Sequence, residues 1–474
     1  MSYFSRLLPC FGSVVLLGAL LNATWAQENS AQPSNSDKQV DPQEELRLLT
    51  LFADTFAQIK QNYVTEMSDR ELMEAAIQGM VRKLDPYSNY IPPRDLDRFK
   101  TGVEAEFGGV GIIVTTENGP LEVISPMAGT PAFRAGLIAG DKILKIEGAS
   151  TQGFNVSDAV KKMKGEVGTP VTLTILHPGE SDPIDVTLKR EKIQVPTVYG
   201  YERGEGFSWN YFIDEGEKIA YLRLSGFGRN SARELKDTMR QLEEEGVRGL
   251  ILDLRFNPGG LLSAAIEISD LFVDEGRIVS TKGRNVRERK WDARRRGTYS
   301  DMPMAVLINK YSASASEIVS ACLQDHDRAV VVGARSWGKG SVQNVIELEG
   351  GGSALKLTTA SYHRPSGKNI HRGPDAKETD EWGVSPTDGY AVKLRGGELS
   401  QLRKWIQGSG LGRNNESQPK YRDRQMASAL KYVRETLNPS AVDEVPPEPM
   451  PVAATGEHDA HPEVPPEPNL KTAK

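Results

Sequence analysis

Four patterns of hydrophobic and polar residues follow one another along the chain and divide it into segments. Residues 7–21 form one apolar run, and residues 44–63 then place apolar side chains three or four positions apart, which is the helical period. Residues 108–190 change to short β-like runs between Gly and Pro turns, with one helix at 156–164, which is typical of a small separate domain. Between residues 219 and 362 apolar strands alternate with helices, and this alternation predicts an α/β layer with a largely parallel sheet.

The same patterns predict where the individual strands and helices lie. In the α/β layer the predicted strands are residues 219–224, 249–254, 304–308 and 328–332, and the predicted helices are residues 231–245, 261–271 and 316–323. In the small domain the predicted strands are residues 110–115, 121–124, 141–146, 171–176 and 184–188. Two further helices are predicted near the N-terminus, over 44–63 and 68–84, the second with Ser68 as N-cap and Glu71 three residues later. We expect these two helices to pack or oligomerise rather than to catalyse.

Both ends of the chain are predicted to lie outside the folded domains. Residues 1–26 carry one charge, Arg6, before the apolar run and end in Ala-Thr-Trp-Ala, which is the pattern of a secretory signal peptide cleaved after Ala26. The apolar run of about 15 residues is shorter than the roughly 20 that a spanning helix needs, which disfavours an uncleaved anchor. The polar residues 27–43 predict a linker.

The C-terminal end, residues 438–474, is rich in Pro, Glu and Ala and contains the hexapeptide Glu-Val-Pro-Pro-Glu-Pro twice. Such a segment cannot bury enough apolar surface to fold, so we expect a disordered tail. A tail of this kind can also bind a partner, but its composition favours a solvated segment.

Composition excludes several classes of function. The chain has 58 Lys and Arg against 64 Asp and Glu, a formal net charge of −6, whereas a generic nucleic-acid binder is expected to be basic. Only Cys10 and Cys322 are present, which excludes a disulfide scaffold, a cysteine-rich zinc site and a four-cysteine iron–sulfur cluster. Cys10 lies in the predicted signal peptide, so Cys322 is expected to be a lone, buried thiol. His363 and His371 match no metal-ligand spacing, and we expect no metal and no cofactor.

A serine-rich turn and a glycine-flanked lysine can carry chemistry. Residues 307–317 end an apolar strand and enter a helix, with Ser312, Ser314 and Ser316 in alternation. The following helix runs about 12 Å away and the next strand returns about 16 Å, so Lys339 can lie beside these serines. A desolvated, neutral lysine at that position can act as general base to a serine nucleophile, but spacing alone does not say which serine.

Two competing readings of this region fail on geometry. His326 follows the same helix, and the twelve residues between it and Ser314 would hold the two about 18 Å apart, too far for a serine–histidine pair. The stretch from Gly333 to Lys339 is nearly a phosphate-binding loop, but Gly340 stands where Ser or Thr is required. A β-like segment, residues 341–348, also follows it in place of the helix whose N-terminus would hold the phosphates. Nucleotide binding is therefore disfavoured.

Two glycine-rich turns admit a functional and a structural interpretation. Residues 257–260, Asn-Pro-Gly-Gly, follow a buried strand, and their backbone N–H groups can form an oxyanion hole or can simply belong to a tight turn. Residues 107–112, Phe-Gly-Gly-Val-Gly-Ile, open a strand in the small domain. A glycine loop at a strand edge can hold a peptide's terminal carboxylate while the strand pairs with the peptide, although such turns are common.

Together these stretches resemble the carboxyl-terminal processing proteases, also called tail-specific proteases, which are PDZ-containing Ser/Lys serine peptidases. The resemblance covers roughly residues 52–375. It is carried by four motifs in the family order, at residues 79–88, 108–141, 252–260, and 312–317 together with 338–343. It implies a multidomain α/β and α+β fold with N-terminal helices, an inserted PDZ domain, an α/β protease core and a C-terminal helical extension.

With this resemblance the chain divides into seven predicted segments. They are the signal peptide 1–26, the linker 27–43, the N-terminal helical region and entry to the core 44–97, the PDZ domain 98–190, the protease core 191–393, the C-terminal helical region 394–437 and the disordered tail 438–474.

The resemblance also implies roles for individual residues. Ser314 corresponds to the family's nucleophile, Lys339 to its general base and Gln343 to the residue that orients the lysine. The implied backbone N–H groups are those of Gly260 and Ala315 for the oxyanion hole and those of Val110, Gly111 and Ile112 for binding a substrate C-terminus. The PDZ domain is expected to gate assembly of the dyad. Trp337 stands where many relatives have Phe, which can reshape the wall near the lysine but leaves the chemistry intact.

The expected function is that of a serine endopeptidase that recognises substrate C-termini through its PDZ domain and cleaves cell-envelope proteins. We expect a periplasmic protein secreted through the inner membrane, with no spanning segment after processing, and membrane association is left open. Family members often act with adaptor lipoproteins, so an adaptor is a candidate partner, as is a second copy in a homo-oligomer. The alternative is a catalytically silent PDZ scaffold that only binds protein tails, and Lys339 and Gln343 argue against it.

Overall fold

The computed structural model describes residues 41–439, with gaps at 97–98, 100–105, 117–118, 128, 205–207, 296 and 411–421. The predicted signal peptide with Cys10, the predicted linker up to residue 40 and the predicted tail from residue 440 lie outside the described residues. By its internal contacts the chain divides into two units, residues 1–72 and 73–474.

The helices with described bounds are α1 Pro42–Asn62, α2 Asp69–Arg82, α3 Pro131–Arg134, α4 Val156–Met163, α5 Ser231–Glu244, α6 Leu262–Asp270, α7 Ala315–Asp325, α8 Gly396–Gly410 and α9 Arg424–Leu437. The strands are β1 Asn89–Ile91, β2 Glu106–Gly109, β3 Ile112–Thr115, β4 Glu122–Pro126, β5 Lys142–Ile146, β6 Ala149–Ser150, β7 Pro170–Leu176, β8 Ile184–Lys189, β9 Glu191–Gln194, β10 Val198–Tyr199, β11 Glu202–Arg203, β12 Trp209–Asn210, β13 Phe212–Asp214, β14 Ile219–Leu224, β15 Gly249–Asp253, β16 Arg277–Lys282, β17 Arg289–Asp292, β18 Met304–Ile308, β19 Val330–Gly333, β20 Ser341–Leu348 and β21 Ser353–His363. No described helix has both the length and the apolar character needed to cross a membrane.

The first unit is built on the amphipathic helix α1. It begins after Asp41, whose carboxylate accepts a hydrogen bond from the Gln43 N–H at 3.0 Å, a regular N-cap. None of its residues is buried, and its apolar side chains, Leu49 at 61% exposure among them, face solvent. The helical period therefore predicted this helix, and its apolar stripe has no partner within its own unit.

The small β domain is an antiparallel sheet in the order β3-β4-β5-β7-β8, with the short β6 paired to β5. Its core holds fully buried side chains such as Val123, Ile143 and Leu173, and α4 packs on it through Ala159 and Met163. Strand β3 lies at the edge of this sheet, so one side of its backbone is not paired within the sheet. The predicted strands and helix of this region are confirmed to within a few residues.

The α/β layer is a sheet in which β14, β15, β18 and β19 run parallel. The short strands β10 and β13 pair with β14 in the antiparallel sense. Strands β15 and β18 are buried along their whole length, as expected for parallel strands covered on both faces. Helices α5, α6 and α7 cover one face and α9 covers the other. The predicted α/β layer is confirmed, and β14 and β18 have the predicted bounds.

A second sheet in the order β1-β21-β16-β17, with β20 paired to β21, is antiparallel and was predicted only at β20. The long strand β21 is only partly buried over most of its length, and β17 is mostly exposed and charged. Neither strand carries the continuous apolar run or strict alternation from which a strand is predicted. The predicted C-terminal helical extension contains α8 and α9, and residues 411–421 between them are not described.

A buried ion-pair network fixes the end of β15, immediately before the Asn-Pro-Gly-Gly turn. The side chain of Arg255 is fully buried, and its guanidinium contacts Asp253 at 2.6 Å and Asp423 at 2.8 Å. Burial alone would lower the pKa of Arg255, but the two carboxylates raise it well above its usual value. Asp423 is also the N-cap of α9, so the C-terminal helix is tied to the strand that leads into the turn.

Candidate active site

Ser314 lies at the junction between the parallel sheet and α7. It is the N-cap of that helix and has φ +57° and ψ −115°, a left-handed backbone that is uncommon for a residue other than glycine. Its N–H donates to Glu317 at 2.8 Å, and its carbonyl accepts from the N–H groups of Glu317 and Ile318 at 2.9 and 3.0 Å. These bonds hold the strained conformation, a combination that is typical of functional sites.

The three alternating serines differ in their surroundings. Ser312 is fully buried, and its hydroxyl donates to the Leu254 carbonyl at 2.8 Å. Ser316 is also fully buried, and its hydroxyl donates to the Asn257 carbonyl at 2.9 Å. Ser314 is only partly buried. The two flanking hydroxyls therefore serve the packing of the turn, which favours Ser314 as the reactive serine.

Glu317 joins the serine turn to the lysine turn, and the sequence analysis did not single it out. Its fully buried carboxylate accepts four hydrogen bonds. One oxygen, Oε1, accepts from the Ser336 hydroxyl at 2.5 Å and the Gly338 N–H at 2.6 Å. The other, Oε2, accepts from the N–H groups of Ser314 and Lys339, both at 2.8 Å. Because both N–H groups bind the same oxygen, the backbone nitrogens of Ser314 and Lys339 lie no farther apart than the sum of these two hydrogen-bond lengths.

Burial raises the pKa of the Glu317 carboxyl, and its four hydrogen bonds lower it without fully offsetting that effect. The only sequence signal for this residue is an acidic side chain three residues after Ser314, which is the spacing of a capping box.

The Lys339 side chain lies against an aromatic wall. Its Nζ atom is 4.7 Å from the centroid of the Tyr87 ring, close enough for a cation–π contact. The indole N–H of Trp337 donates to the Tyr87 hydroxyl at 3.3 Å, and the Trp337 backbone N–H donates to the Ser312 carbonyl at 2.9 Å. Trp337 therefore links the tyrosine, the lysine turn and the serine turn.

Tyr362 on β21 is a further residue of the site that the sequence analysis missed. Its hydroxyl donates to the Lys339 carbonyl, and the Ser314 side chain is part of its electrostatic surroundings. Burial is the main cause that raises the pKa of Tyr362 well above its usual value, so it is a neutral donor at ordinary pH. Only its position in the tertiary fold brings this tyrosine to the serine.

Gln343 lies on β20, four residues after Lys339. Its side-chain amide donates to the hydroxyls of Ser341 at 2.9 Å and Thr358 at 3.2 Å. The Thr358 hydroxyl in turn donates to Asp85 at 3.3 Å. Burial raises the pKa of the Asp85 carboxyl, but the donors around it, with the Ser88 hydroxyl the largest, lower the pKa below its usual value. Gln343 is thus fixed by β21 and, through Thr358, by the motif at residues 79–88, called the entry motif below. Its action on the lysine stays a prediction.

The Asn-Pro-Gly-Gly turn packs directly on the serine. The carbonyl of Asn257 accepts a hydrogen bond from the Ala313 N–H at 3.1 Å. Gly259 has φ +97°, and a Cβ there would lie 2.7 Å from the Ser314 Cβ, so only glycine fits. Among the described residues, the N–H groups of Gly260 and Ala315 have no acceptor. Two unpaired donors beside the serine are what an oxyanion hole requires.

The glycine loop of the small β domain leads into the edge strand β3. Gly111 has φ +75°, and a Cβ there would collide with Thr130. The carbonyls of Val110 and Gly111 accept hydrogen bonds from the N–H groups of Ala132 and Met127, at 3.0 and 2.8 Å. In the part of the chain that the structure describes, the N–H groups of these two loop residues find no acceptor, and Ile112 begins β3. The loop therefore offers free donors next to an unpaired strand edge.

His326 and Cys322, the other residues considered in the sequence analysis, lie in surroundings typical of structural residues. His326 is the C-cap of α7, and its Nε2 lies 2.7 Å from the Arg277 carbonyl, so the predicted helix-end position is confirmed. Cys322 is buried as predicted, and burial raises the pKa of its thiol to about 12. No cluster of three or more His, Cys, Asp or Glu side chains among the described residues is arranged to hold a metal ion.

Comparison with known proteins identifies the family. Residues 218–381 match the description Peptidase family S41, residues 100–176 match PDZ domain, and residues 14–93 match Activating protease CtpB N-terminal domain. These matches confirm the predicted PDZ domain and protease core.

Curated relatives give the same family name. The chain is 43% identical over 327 residues to the carboxy-terminal-processing protease of Bartonella bacilliformis, an alignment that covers 68% of this chain and 72% of that protein. It is 36% identical over 321 residues to the carboxyl-terminal-processing protease of Synechocystis, which covers 66% of this chain and 72% of the relative. A solved photosystem II D1 C-terminal processing protease aligns with 26% identity and a TM-score of 0.42 over 77% of this chain and 97% of that one. The chain therefore belongs to the carboxy-terminal processing proteases of peptidase family S41, which are serine-type peptidases.

Proposed function

We propose that the protein is an endopeptidase in which Ser314 is the nucleophile and Lys339 the general base. The observation that carries this proposal is the shared acceptor, since the backbone N–H groups of both residues donate to one oxygen of Glu317. Partial exposure and the strained left-handed backbone of Ser314 support its role as nucleophile.

The proposed reaction follows acyl-transfer chemistry. The Ser314 hydroxyl attacks the scissile carbonyl carbon while its proton passes to the neutral amine of Lys339. The negative oxygen that forms accepts hydrogen bonds from the N–H groups of Gly260 and Ala315. The lysine ammonium then protonates the leaving amine, the peptide bond breaks, and an acyl ester stays on the serine. A water molecule then gives a proton to the lysine and attacks the ester carbonyl carbon, and the lysine returns that proton to the departing Ser314 oxygen, which regenerates both residues. Gln343 is proposed to orient the lysine.

The PDZ domain is proposed to recognise the free C-terminus of a protein substrate and to gate assembly of the dyad. The unpaired N–H groups of Val110 and Gly111 can hold a carboxylate, and β3, which begins at Ile112, can pair with the peptide backbone. A peptide with a free C-terminus should therefore bind the full chain more tightly than the same peptide with an amidated end. Equal binding would contradict this role.

We further propose that the protein is exported by its signal peptide to the periplasm, where it cleaves cell-envelope proteins and can use an adaptor lipoprotein. The apolar run of residues 7–21 followed by a small-residue cleavage site supports export. A homo-oligomer is also proposed, since the apolar side chains of α1 have no partner within their own unit.

The experiment that tests this function compares four purified mature proteins on an unfolded protein substrate or one delivered by an adaptor. They are the wild type, Ser314→Ala, Lys339→Ala and the control Ser320→Ala, which removes a hydroxyl from the same helix. The first two variants should fold but cleave nothing, whereas the control should cleave. Unchanged cleavage by either dyad variant would exclude the dyad. If the wild type binds tails without cleaving them, the silent-scaffold alternative is supported.

A further inference from the structure

Glu317 has no part in the reaction as described, yet it contacts both turns that supply its reacting groups. We propose that Glu317 is a positioning residue, whose carboxylate sets the spacing between the nucleophile turn and the base turn. This inference rests on the proposed Ser/Lys dyad.

The hydrogen-bond partners of Glu317 suit a carboxylate best. Three of its four partners are backbone N–H groups, which cannot accept, and the fourth is the Ser336 hydroxyl. An ionised carboxylate offers about four acceptor sites and no donor, so it satisfies all four partners at once. An amide would place its NH₂ group against at least one backbone N–H in either orientation.

The burial of Glu317 indicates that its carboxylate positions the two turns rather than increases the stability of the fold. Its side chain is fully buried, and the four hydrogen bonds that its carboxylate accepts come from neutral donors, three backbone N–H groups and one hydroxyl. Burying a charge costs free energy that hydrogen bonds only partly offset, and an apolar side chain would fill the same space without that cost. A buried carboxylate whose hydrogen bonds come from neutral donors is therefore expected where the direction of those bonds is needed.

Those hydrogen bonds act on the reacting residues themselves. Oε2 binds the backbone of Ser314 and of Lys339, so movement of either turn stretches a bond to the same atom. Oε1 binds Gly338 beside the lysine, and the Ser336 hydroxyl that it accepts from also accepts from the Val384 N–H at 2.7 Å. The lysine turn is thereby held through three donors, on Ser336, Gly338 and Lys339, that all bind the Glu317 carboxylate. A misplacement of about 1 Å between reacting groups can lower a rate about 100-fold.

Two substitutions separate the effect of the charge of Glu317 from the effect of the length of its side chain. Glu317→Gln keeps the length, but its single carbonyl oxygen can serve only one pair of donors, and its NH₂ group then faces a backbone N–H. Glu317→Asp keeps the charge but is one methylene shorter, so it cannot contact both turns in the present geometry. We expect each variant to lower kcat about 10- to 100-fold and to leave KM nearly unchanged, because the site for the substrate tail lies on the PDZ domain.

The test uses the full mature protein and counts reactive serines by titration with a fluorophosphonate, a reagent that phosphonylates activated serines. For each protein we would measure kcat per titrated site, KM, the labelling rate and Tm. Ser320→Ala is the matched control, because it removes a buried hydroxyl that donates to the Ser316 carbonyl at 2.7 Å on the same helix. It should lower Tm without lowering kcat per site.

The proposal is supported if both Glu317 variants lose kcat and labelling rate per titrated site by 10-fold or more. It is overturned if a folded Glu317→Gln or Glu317→Asp protein has a lower Tm but wild-type kcat per site, since Glu317 would then serve stability alone. If Glu317→Gln does not fold, Glu317→Asp decides by the same criterion. If the assignment of the Ser/Lys dyad is itself wrong, the result is different, because Ser314→Ala or Lys339→Ala then cleaves as fully as the wild type.

Discussion

The Lys339 Nζ atom lies 4.7 Å from the centroid of the Tyr87 ring. An aromatic face attracts a charged ammonium group by about 0.5 to 1 kcal/mol at partly exposed sites. A general base must be neutral, so this contact favours the protonation state that cannot accept the serine proton. The tyrosine is fixed in place by its own backbone N–H, which donates to Asp85 at 2.7 Å.

Replacing the Tyr87 ring should therefore change the pH dependence of cleavage. Activity is expected to rise with pH as the lysine loses its proton, and a rate that is flat from mildly acid to alkaline pH would argue against a lysine base. The ring stabilises the protonated form, so Tyr87→Leu should move the midpoint of this rise to lower pH, by about half a unit. Tyr87→Phe keeps the ring and serves as the control, with an unchanged midpoint. A midpoint that moves equally in both variants would assign the effect to the hydroxyl.

Gly259→Ala should abolish most of the activity. A Cβ at this position would lie 2.7 Å from the Ser314 Cβ and 2.6 Å from the Ala313 carbonyl oxygen, so the turn or the serine must move. We expect kcat/KM to fall by about 100-fold.

Gly246→Ala is the matched control for that substitution. Gly246 has φ +80°, and a Cβ there would meet nothing within 4 Å, so it carries similar backbone strain away from the serine. It should lower Tm and leave kcat/KM close to the wild-type value. An equal loss of activity in the two variants would mean that backbone strain, and not contact with the serine, is responsible.

The entry motif should stabilise the fold in a pH-dependent way. The pKa of Asp85 lies below its ordinary value of 3.8, so this carboxylate contributes stability above that pH, and the contribution is lost as the pH falls through the lowered pKa. Asp85→Asn should thus lower Tm by a few degrees at neutral pH, and the difference from wild type should shrink below about pH 4. The control Asp182→Asn, in an exposed turn, should have little effect at either pH. A constant difference for Asp85→Asn would show that its charge is irrelevant.

Helix α1 should mediate self-association. Leu49 is 61% exposed and Phe52 is 41% exposed on a helix without a buried residue. Changing both to Glu should reduce the mass of the assembly measured by light scattering, whereas Gln58→Glu, a polar change on the same helix, should not. Assemblies of equal mass would exclude α1 as the interface, and a monomeric wild type would exclude the homo-oligomer.

The sequence predicted those elements whose residues are uniformly apolar or strictly periodic. Strands β14 and β18 were predicted at their observed bounds because parallel strands buried on both faces are continuous apolar runs. Strand β21 escaped prediction because its side chains are mostly half-buried, and it is defined by backbone pairing with β20 and β16. Its pairing with β20 is a local hairpin, whereas its pairing with β16 joins segments distant in sequence and leaves no local pattern.

The sequence could predict the site residues that lie within a recognisable turn motif. It could not predict those whose role depends on contacts with residues far away in sequence. The alternating serines and Lys339 were identified from spacing, but spacing could not choose Ser314, which the burial of its two neighbours favours. The acceptor role of Glu317 depends on a turn about twenty residues later, and Tyr362 reaches the serine only through the second sheet. Such relationships exist only in the folded protein.

The most direct test of the Ser/Lys dyad is the site and rate of fluorophosphonate labelling, with the modified residue identified by mass spectrometry. The reagent should modify Ser314 alone in the wild-type protein, should not react with Ser314→Ala, and should react with a folded Lys339→Ala protein at least about 1,000-fold more slowly. A label on a different serine, or an unchanged rate without Lys339, would contradict the account.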